Sequence, residues 1–304
     1  MSLLVVGSLG LDDIETPFAK VEYAVGGSAV YISLAASYFS PVTNLVGVVG
    51  DDFPSKYLKM MKERNIDLVG LQIVEGDKTF RWSGKYSYDM NHRDTLFTEL
   101  NVFKDFNPII PENYLSSRFV MLGNIDPVLQ LGVLKQIKNQ KLVVCDTMNY
   151  WIERKNKELR ETLKYIDILI INDSEARMLS GEPNLIYAGK KILQMGPTKL
   201  IIKKGEHGCL LITDEIMFAA PAYPLENIFD PTGAGDSFAG GFLGYLSKNE
   251  SFDNGTIKRA VVYGSVMASF CVEKFSVEGL LDLNYLKIND RFLQFFSLTQ
   301  FEES

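Results

Sequence analysis

The segment with the strongest chemical pattern is DPTGAGD at residues 230–236, directly before a predicted helix. Gly233 and Gly235 leave room for backbone amides to converge on a ligand, and the free N–H groups and positive dipole end of a helix attract an anion. The pattern therefore predicts a phosphoryl site. Asp236 would repel a bound phosphate, so its presence fits a base that takes the proton of an attacking hydroxyl. The alternative is a glycine turn in which Asp236 only caps the helix.

Strand and helix patterns alternate along most of the chain. Several of the short β-branched runs are apolar on both faces, which is typical of a parallel sheet covered by helices on both sides and favours an α/β layered fold. The predicted strands are 3–7, 44–49, 119–123, 142–146, 166–172, 199–203 and 208–213. The predicted helices are 29–39, 54–64, 127–138, 153–164, 174–180 and 185–195, followed after Asp230 by 236–246 and 256–272.

Residues 79–103 interrupt this alternation with an aromatic-rich stretch that lacks a helical period. The pattern predicts an antiparallel excursion of strands beside the main sheet, which would serve as a lid. Neither an internal repeat nor a low-complexity linker divides the chain. We therefore expect one domain over residues 1–304, with a β lid formed mainly by about 12–25 and 76–106.

Charge and motif content exclude several function classes. The 304 residues carry 31 basic and 38 acidic side chains, a net charge of −7, with no block of five like charges. An extended nucleic-acid footprint is therefore not expected. The chain has no GxxxxGK[ST] segment, which argues against a Walker-type nucleotide hydrolase. It has no GxGxxG segment after the first strand, which argues against a dinucleotide oxidoreductase.

The cysteines and histidines match no metal or redox spacing. Cys145, Cys209 and Cys271 lie more than sixty residues apart in apolar surroundings typical of small core residues. The 2 histidines, His92 and His207, are too few for a histidine-ligated metal. We expect no disulfide framework and no histidine metal site.

One uncharged stretch, residues 23–50, is nominally long enough to cross a bilayer. It contains Gly26, Gly27, four serines and Pro41, a composition that indicates loop, buried helix, turn and strand. The first residues resemble no signal peptide, because their apolar run ends at Gly7 and acids follow. We expect a cytoplasmic protein with no membrane partner.

The whole DPTGAGD string resembles the DTxGAGD signature of the ribokinase-like (PfkB) carbohydrate kinase family. The resemblance implies a ribokinase-like three-layer α/β sandwich with a mostly parallel central sheet and a small β lid. It also implies that Asp236 is the catalytic base, and that the amides of Gly233, Ala234 and Gly235 hold the transferred phosphoryl group.

Two further segments match positions of this family that bind the phosphate acceptor. The resemblance places Asp12 on vicinal hydroxyls of the acceptor, where a carboxylate can accept two hydrogen bonds. It places Gly26, Gly27 and Ser28 in a turn that lets the backbone approach the acceptor. The family commonly has Asn four residues after the second glycine, where this chain has Tyr31. The alternative for Asp12 is a loop cap.

The resemblance also implies the cofactors ATP and Mg²⁺. Asn172 and Glu175 match the NxxE element, in which Glu175 acts on Mg²⁺ indirectly through water; an Asn-capped helix is the alternative. A monovalent cation stays open, since the family's cation loop falls near residues 271–280. The residues assigned to the nucleotide are Asn172, Glu175, Lys203, Gly205, Thr232 and Ser265, of which Lys203 and Ser265 could equally be a surface charge and a helix-surface serine.

Aromatic residues in the lid bear on the identity of the acceptor. Phe80, Trp82, Tyr86 and Tyr88, together with Tyr31, offer more aromatic surface than a polar hexose requires, and aromatic faces stack on nucleobases. The alternative is that they form the core of the lid or a dimer contact, so a homodimer through the lid stays open.

Asn124 and Asn149 follow two predicted strands, at the edge where ligands of open α/β sheets bind. Either residue could hydrogen-bond the acceptor or only initiate a turn.

These observations lead to an ATP-dependent kinase that transfers the γ-phosphoryl group to a primary hydroxyl of a ribonucleoside. A free sugar, sugar acid or inositol is the alternative acceptor. A non-catalytic nucleotide or sugar sensor, and a hydrolase that uses the same anion site, are the alternatives from other classes.

Overall fold

The computed structural model describes residues 2–300, which contain thirteen strands and eleven α-helices. The strands are β1 (Ser2–Val6), β2 (Gly10–Glu15), β3 (Lys20–Gly26), β4 (Val42–Gly50), β5 (Ile66–Val74), β6 (Phe80–Tyr86), β7 (Arg93–Glu99), β8 (Phe119–Leu122), β9 (Leu142–Asp146), β10 (Ile168–Asn172), β11 (Lys199–Lys203), β12 (Cys209–Thr213) and β13 (Met217–Ala220). The helices are α1 (Ser28–Ser37), α2 (Ser55–Glu63), α3 (Pro127–Gln136), α4 (Asn149–Arg154), α5 (Asn156–Leu163), α6 (Asp173–Ser180), α7 (Leu185–Leu193), α8 (Ala234–Asn249), α9 (Asn254–Cys271), α10 (Glu278–Leu281) and α11 (Tyr285–Thr299).

The main sheet has the strand order β13-β12-β11-β10-β9-β8-β1-β4-β5. All neighbouring pairs from β11 to β5 are parallel, and β12 and β13 are added antiparallel. The carboxyl ends of β1, β8, β9, β10 and β11 therefore meet at one edge of the sheet. Residues that follow these strands are brought together there, although they are far apart in the sequence.

Helices cover both faces of this sheet because the strands are apolar on both sides. Leu3 and Val5 of β1 pack into a core with α1, α8 and α9, whereas Leu4 and Val6 pack into a second core with α3, α5, α6 and α7. The two cores make a three-layer sandwich. No helix among residues 2–300 has both the length and the apolar character needed to cross a bilayer.

A second sheet of four strands, in the order β3-β2-β6-β7, forms the lid. The pair β6–β7 is antiparallel, which confirms the antiparallel excursion predicted at 79–103. The pair β2–β3 is antiparallel as well, whereas the central pair β2–β6 is parallel. The reason is that β2 and β6 are separated by β3, by two strands of the main sheet and by two helices, so the chain runs through the lid in the same direction twice.

Other differences from the predicted elements have local causes. The edge strand β5 was not predicted, because Gly70 and polar residues interrupt its apolar pattern. The strand β13 and the helix α11 were not predicted either. The single helix predicted at 153–164 is two helices, α4 and α5, with Lys155 outside helical geometry between them. The Asn156 amide donates to the carbonyl of Ile152 at 3.0 Å, which competes with the backbone ladder at this break.

The helices α1 and α8 cross with their backbones almost in contact. A Cβ atom at Gly240 would lie 2.3 Å from the carbonyl oxygen of Ile32, and one at Gly244 would lie 2.9 Å from the Cα of Ala36. Since α8 begins at the DPTGAGD turn, this close crossing sets the position of that turn relative to α1.

We expect Gly240→Ala to lower the free energy of unfolding by about 1–3 kcal/mol, because the added methyl group meets backbone that cannot move freely. Gly132, in the middle of α3, has open space where a Cβ would lie. The same substitution at Gly132 should raise stability by about 0.5–1 kcal/mol, through helix propensity and a less flexible unfolded chain. Urea denaturation of both variants measures the difference, and equal effects would contradict the close crossing.

Candidate active site

The turn before α8 is held by a buried carboxylate. Asp230 is fully buried, and its carboxylate accepts hydrogen bonds from the amides of Thr232 at 2.8 Å and Ser276 at 2.9 Å. Gly233 follows with φ 77°, and a Cβ there would lie 2.4 Å from the ring of Tyr31. Only glycine fits this position, because the conformation is left-handed and the buried tyrosine lies directly beneath.

The first turn of α8 keeps free hydrogen-bond donors. Gly233 is the N-cap and offers no side chain, and the amide of Ala234 donates to the carbonyl of Pro231 at 3.2 Å. Within residues 2–300 the amides of Gly235 and Asp236 have no acceptor. Asp236 lies inside the helix and does not cap it, so the capping alternative is wrong. The free amides form an anion site at the positive end of a 16-residue helix.

The Asp236 carboxyl is partly buried at this helix start. Burial and the charge of Asp146 raise its pKa, the charges of Lys203 and Arg93 act in the opposite direction, and the resulting pKa is about 7. A carboxyl with a pKa near neutrality can accept a proton and release it again under ordinary conditions. This is the property that a general base requires.

Lys203 at the end of β11 connects the sheet edge to the anion site. Its Nζ lies 3.7 Å from Oδ2 of Asp146, at the end of β9, and a Cβ on Gly235 would lie 2.6 Å from the same Nζ. Burial lowers the pKa of Lys203, but the charges of Asp146, Glu175 and Asp236 outweigh this effect, and the pKa is raised. The ammonium group is therefore charged, and it lies where it can contact an anion bound at α8.

Asn172 and Glu175 form a reciprocal cap at the start of α6. The backbone N–H of Asn172 donates to Glu175 Oε2 at 2.8 Å, and the backbone N–H of Glu175 donates to Asn172 Oδ1 at 2.8 Å. The helix cap that was the alternative role of Asn172 is therefore present in the structure. Burial and the charge of Asp146 raise the pKa of Glu175 to about 7, so this carboxyl also lies near the carboxyl of Asp146.

The acidic side chains near Lys203 are suited to a hydrated cation rather than to a protein cage. Within residues 2–300 no three His, Cys, Asp or Glu side chains converge closely enough to bind a metal ion. Asp146, Glu175 and Asp236 nevertheless supply three carboxyls beside one lysine. Mg²⁺ keeps most of its water and binds through few carboxylates, so these residues fit the indirect role predicted for Glu175.

Three other residues assigned to the nucleotide lie near this edge or along α9. Gly205 begins the turn after β11, and Thr232 Oγ1 lies 3.0 Å from the hydroxyl of Tyr86. Ser265 is buried in α9, 3.9 Å from the sulfur of Cys209, and is not the exposed helix-surface serine of the alternative. Contacts of these residues with a nucleotide stay predictions.

Asp12 lies in β2 against the di-glycine turn. It is 4% exposed, and a Cβ at Gly26 would lie 2.0 Å from Asp12 Oδ2, so glycine is required to make room for the carboxyl. Burial raises the pKa of Asp12 to about 8; Asp230 and Asp236 raise it, and Arg93 lowers it. The structure thus brings Asp12 into electrostatic contact with Asp236 across the site.

Gly27, Ser28 and Tyr31 determine the shape of the site and do not form an open surface for a ligand. Gly27 is the N-cap of α1 with φ 93°, and Ser28 Oγ lies 3.2 Å from the amide of Ser8 and 3.3 Å from its hydroxyl. Ser28 therefore joins α1 to the loop after β1. The Tyr31 ring is buried beneath Gly233, and a direct contact with the acceptor stays a prediction for these three residues.

Asn124, after β8, is held by its own neighbours, and Asn149, at the start of α4, is exposed. The Asn124 amide accepts from Trp151 Nε1 at 2.9 Å and donates to the sulfur of Met148 at 3.1 Å. Asn149 is exposed at the first residue of α4. The structure places no hydrogen bond between either side chain and the carboxyls of the site.

The lid aromatics do not form one continuous surface. Phe80 packs on Phe103 with ring centroids 5.5 Å apart, and Tyr88 is 85% exposed. Trp82 is paired with Asp12 in the β2–β6 register and shares its face of the lid, and Tyr86 is on the same face two pleats further along. Trp82 and Tyr86 are thus the aromatic residues that face the site.

Sequence reasoning missed Asp146 and Arg93. Asp146 had a signal, since it ends the apolar run LVVCD at the edge where ligands bind. Arg93 had none, because its place depends on the register between β6 and β7. The segment 271–280 contacts the anion turn through Cys271 Sγ, which lies 3.5 Å from the carbonyl of Thr232; a bound cation there stays a prediction.

Comparison with known proteins agrees with this architecture. A cytidine kinase from Thermococcus kodakarensis is 30% identical over 259 residues, which cover 83% of this chain and 91% of the relative. The crystal structure of a nucleoside kinase from Methanocaldococcus jannaschii, an archaeal member of the ribokinase family, matches with a TM-score of 0.77 at 22% identity, covering 96% of this chain and 98% of that one. A putative ribokinase II from E. coli, in complex with ATP and Mg²⁺, matches with a TM-score of 0.79 at 16% identity, covering 96% and 99%.

These structures confirm the predicted ribokinase-like sandwich with its small β lid. The family described as pfkB family carbohydrate kinase matches residues 8–282, which is nearly the whole chain. This extent, together with the relative at 30% identity, shows that the chain belongs to the pfkB family of carbohydrate kinases and is a phosphotransferase.

Proposed function

We propose that the protein is an ATP-dependent kinase that phosphorylates a primary hydroxyl of a ribonucleoside, with Asp236 as the general base. The observation that carries the proposal is the juxtaposition at the start of α8. The amides of Gly235 and Asp236 are free, and a carboxyl with a pKa of about 7 lies beside them. An anion site that includes its own base fits transfer of a phosphoryl group to an alcohol.

The preference for a nucleoside rests on the face of the lid above Asp12. Trp82 lies beside Asp12 in the lid register, so an aromatic ring is available next to the carboxyl that would bind ribose hydroxyls. Stacking of a base on such a ring contributes roughly 1–3 kcal/mol. The names of two of the relatives, cytidine kinase and nucleoside kinase, support the same acceptor class.

Each residue of the site has a separate role in the proposed reaction. Asp12 would accept hydrogen bonds from the acceptor hydroxyls, and Asp236 would take the proton of the attacking one. The amides at α8 and the ammonium group of Lys203 would hold the transferred group, and the lid would exclude water. When bound, Mg²⁺ supplies charge neutralisation of the phosphates near Asp146 and Glu175.

The acceptor class is tested by incubation with ATP, Mg²⁺ and a panel of cytidine, adenosine, uridine, guanosine, ribose, fructose and inositol. We expect a ribonucleoside to give ADP and a nucleoside monophosphate, with kcat/KM at least ~10-fold above that of any free sugar, because stacking adds to the ribose contacts. Mass spectrometry identifies the product. Turnover of ribose or fructose with no nucleoside product would refute the acceptor, and release of free phosphate alone would indicate a hydrolase.

The role of Asp236 is tested by Asp236→Asn. We expect kcat to fall by ~10²–10⁴-fold with nucleotide affinity largely kept, because the amide cannot take the proton. Wild-type kcat/KM should decline as the pH drops below about 7, where the Asp236 carboxyl becomes protonated. The residual activity of the variant should show a weaker decline, because Glu175 and Asp12 also titrate near this pH.

The matched control is Asp173→Asn on α6, whose carboxylate is partly exposed and paired with Arg177. It should keep wild-type kcat and the wild-type pH profile. Asp236→Asn with wild-type turnover would remove Asp236 from the reaction.

We also propose a homodimer through the outer face of the lid. Tyr23 and Phe97 lie over the guanidinium of Arg81 at 4.1 and 5.1 Å, and they are 58% and 37% exposed. Phe18 is 64% exposed on the loop between β2 and β3. An exposed aromatic patch of this kind is suited to a second copy of the chain.

Sedimentation velocity tests the dimer. Phe97→Ser should shift the protein toward the monomer because it removes apolar area from the patch. Phe296→Ser, at a 58% exposed position on α11, is the control and should leave the distribution unchanged. A wild-type protein that stays monomeric at all concentrations would refute the dimer.

A further inference from the structure

The lid strands β6 and β7 carry three long cationic side chains, and one of them has no ionic partner. Arg81 lies 2.5 Å from Asp13, and Lys85 lies 2.5 Å from Glu15. Arg93 has no carboxylate oxygen within 4.0 Å among residues 2–300, although it is the first residue of an ordered strand. Two of the charges are thus neutralised within the lid, and the third is available to a ligand.

Arg93 lies on the inner face of the lid, which faces the site. It is paired with Tyr86 across β6 and β7, and its guanidinium carbon lies 5.1 Å from the ring of Trp82. Trp82 is in turn paired with Asp12 across β6 and β2. Neighbours across a sheet share a face, so Arg93, Tyr86, Trp82 and Asp12 point to the same side. Arg81 pairs with Asp13 on the opposite side.

Two contacts of the hairpin β6–β7 with the main body lie on either side of Arg93. The Tyr86 hydroxyl is 3.0 Å from Thr232 Oγ1 in the turn before α8. At the tip of the hairpin, Asn91 Nδ2 donates to Glu206 Oε1 at 3.2 Å, in the turn after β11. The hairpin therefore extends from the anion site to the loop beside Gly205, and Arg93 lies between these two points.

The electrostatics place the Arg93 charge over the same group of carboxyls. Burial raises the pKa of Asp12, Asp146, Glu175 and Asp236, and Arg93 is among the charges that lower each of them. These carboxyls come from β2, β9, α6 and α8, so the point that they share is the centre of the site. An exposed guanidinium at that point is accessible to a ligand.

We propose that Arg93 is a catalytic residue, whose guanidinium is held on the inner face of the lid and binds the oxygens of the phosphoryl group during its transfer. Arginine suits this role because its planar donors match phosphoryl oxygens in a bidentate way. Its position on the lid places the charge beside the anion site where the lid covers it, which links water exclusion to stabilisation of the transition state.

The proposal adds a charge to the reaction but no atoms. A bond forms between the acceptor oxygen and the γ-phosphorus, the bond from that phosphorus to the bridging oxygen of ADP breaks, and the acceptor proton passes to Asp236. Arg93 forms and breaks no covalent bond in this step. The inference rests on the proposed function, since it takes phosphoryl transfer at α8 as the reaction.

The test compares Arg93→Gln and Arg93→Lys with Lys85→Gln as the control. Lys85→Gln removes one positive charge from the same hairpin, at a residue whose partner is Glu15. We expect Arg93→Gln to lower kcat by at least ~10²-fold, with KM for cytidine changed less than ~5-fold. Arg93→Lys should be intermediate because a lysine cannot bind in a bidentate way. The control should keep wild-type kcat.

A binding measurement gives a readout that does not depend on turnover. Isothermal titration calorimetry compares ADP–Mg²⁺ alone with ADP–Mg²⁺, aluminium fluoride and cytidine, in which the fluoride mimics the phosphoryl group in transfer. Arg93→Gln should weaken the second complex by at least ~10-fold and leave ADP–Mg²⁺ within ~3-fold of wild type. The control should change neither value.

Two results would overturn the proposal. One is wild-type kcat and wild-type affinity for the fluoride complex in Arg93→Gln. The other is full rescue by lysine with only a displaced acid limb of the pH profile, which would mean that Arg93 merely balances the carboxyls. Asp236→Asn measured in parallel separates the two hypotheses: a large loss there beside an unaffected Arg93→Gln refutes Arg93 alone, and wild-type activity there refutes the base.

Discussion

The central constraint in this structure is that α8 must begin without a side-chain cap. A helix start with free amides attracts an anion, but it is also an incomplete structure whose donors lack partners. Here the turn is held from three sides: Asp230 accepts from Thr232 and Ser276, the Tyr31 ring lies beneath Gly233, and the lid contacts Thr232. Support from the surroundings leaves the donors themselves free for a ligand.

The same surroundings explain why the carboxyls of the site are tuned rather than simply ionised. Asp12, Asp236, Asp146 and Glu175 come from different elements and meet in a partly buried space. Burial raises the pKa of each, and repulsion between carboxyls also raises the pKa of Asp12, Asp236 and Glu175. The positive charge of Lys203 offsets part of this repulsion. Such an arrangement costs stability in the folded protein, and it is typical of catalytic centres rather than of structural ion pairs.

Because side chains alternate between the two faces of a β-strand, the two faces of the lid carry different side chains. Successive residues point to opposite faces, so Asp12 and Trp82 face the site whereas Asp13 and Arg81 lie on the other face of the lid. One face can therefore carry acceptor contacts and charge, and the other can carry an aromatic patch suited to association. Membership of the pfkB family accounts for the sandwich and the phosphotransferase activity.

The order of strands and helices and the DPTGAGD motif could be predicted from the sequence, because buried parallel strands and glycine-rich helix starts have local patterns. The fold class and the family followed from these segments. The break at Lys155, the strand β5 and the parallel pair β2–β6 could not be predicted, since each depends on packing or on where a distant segment returns.

The residues of the site also divide into those with a local sequence signal and those whose position depends on the fold. The glycine turn before α8 could be predicted from local spacing, which left Asp236 open between a base and a helix cap. The approach of Lys203 to Asp146, the burial of Ser28 and Tyr31, and the position of Arg93 were decided only when separate strand ends and two lid strands met in space. Local sequence specifies backbone conformation within a few residues, whereas distances between charges and their burial depend on the whole fold.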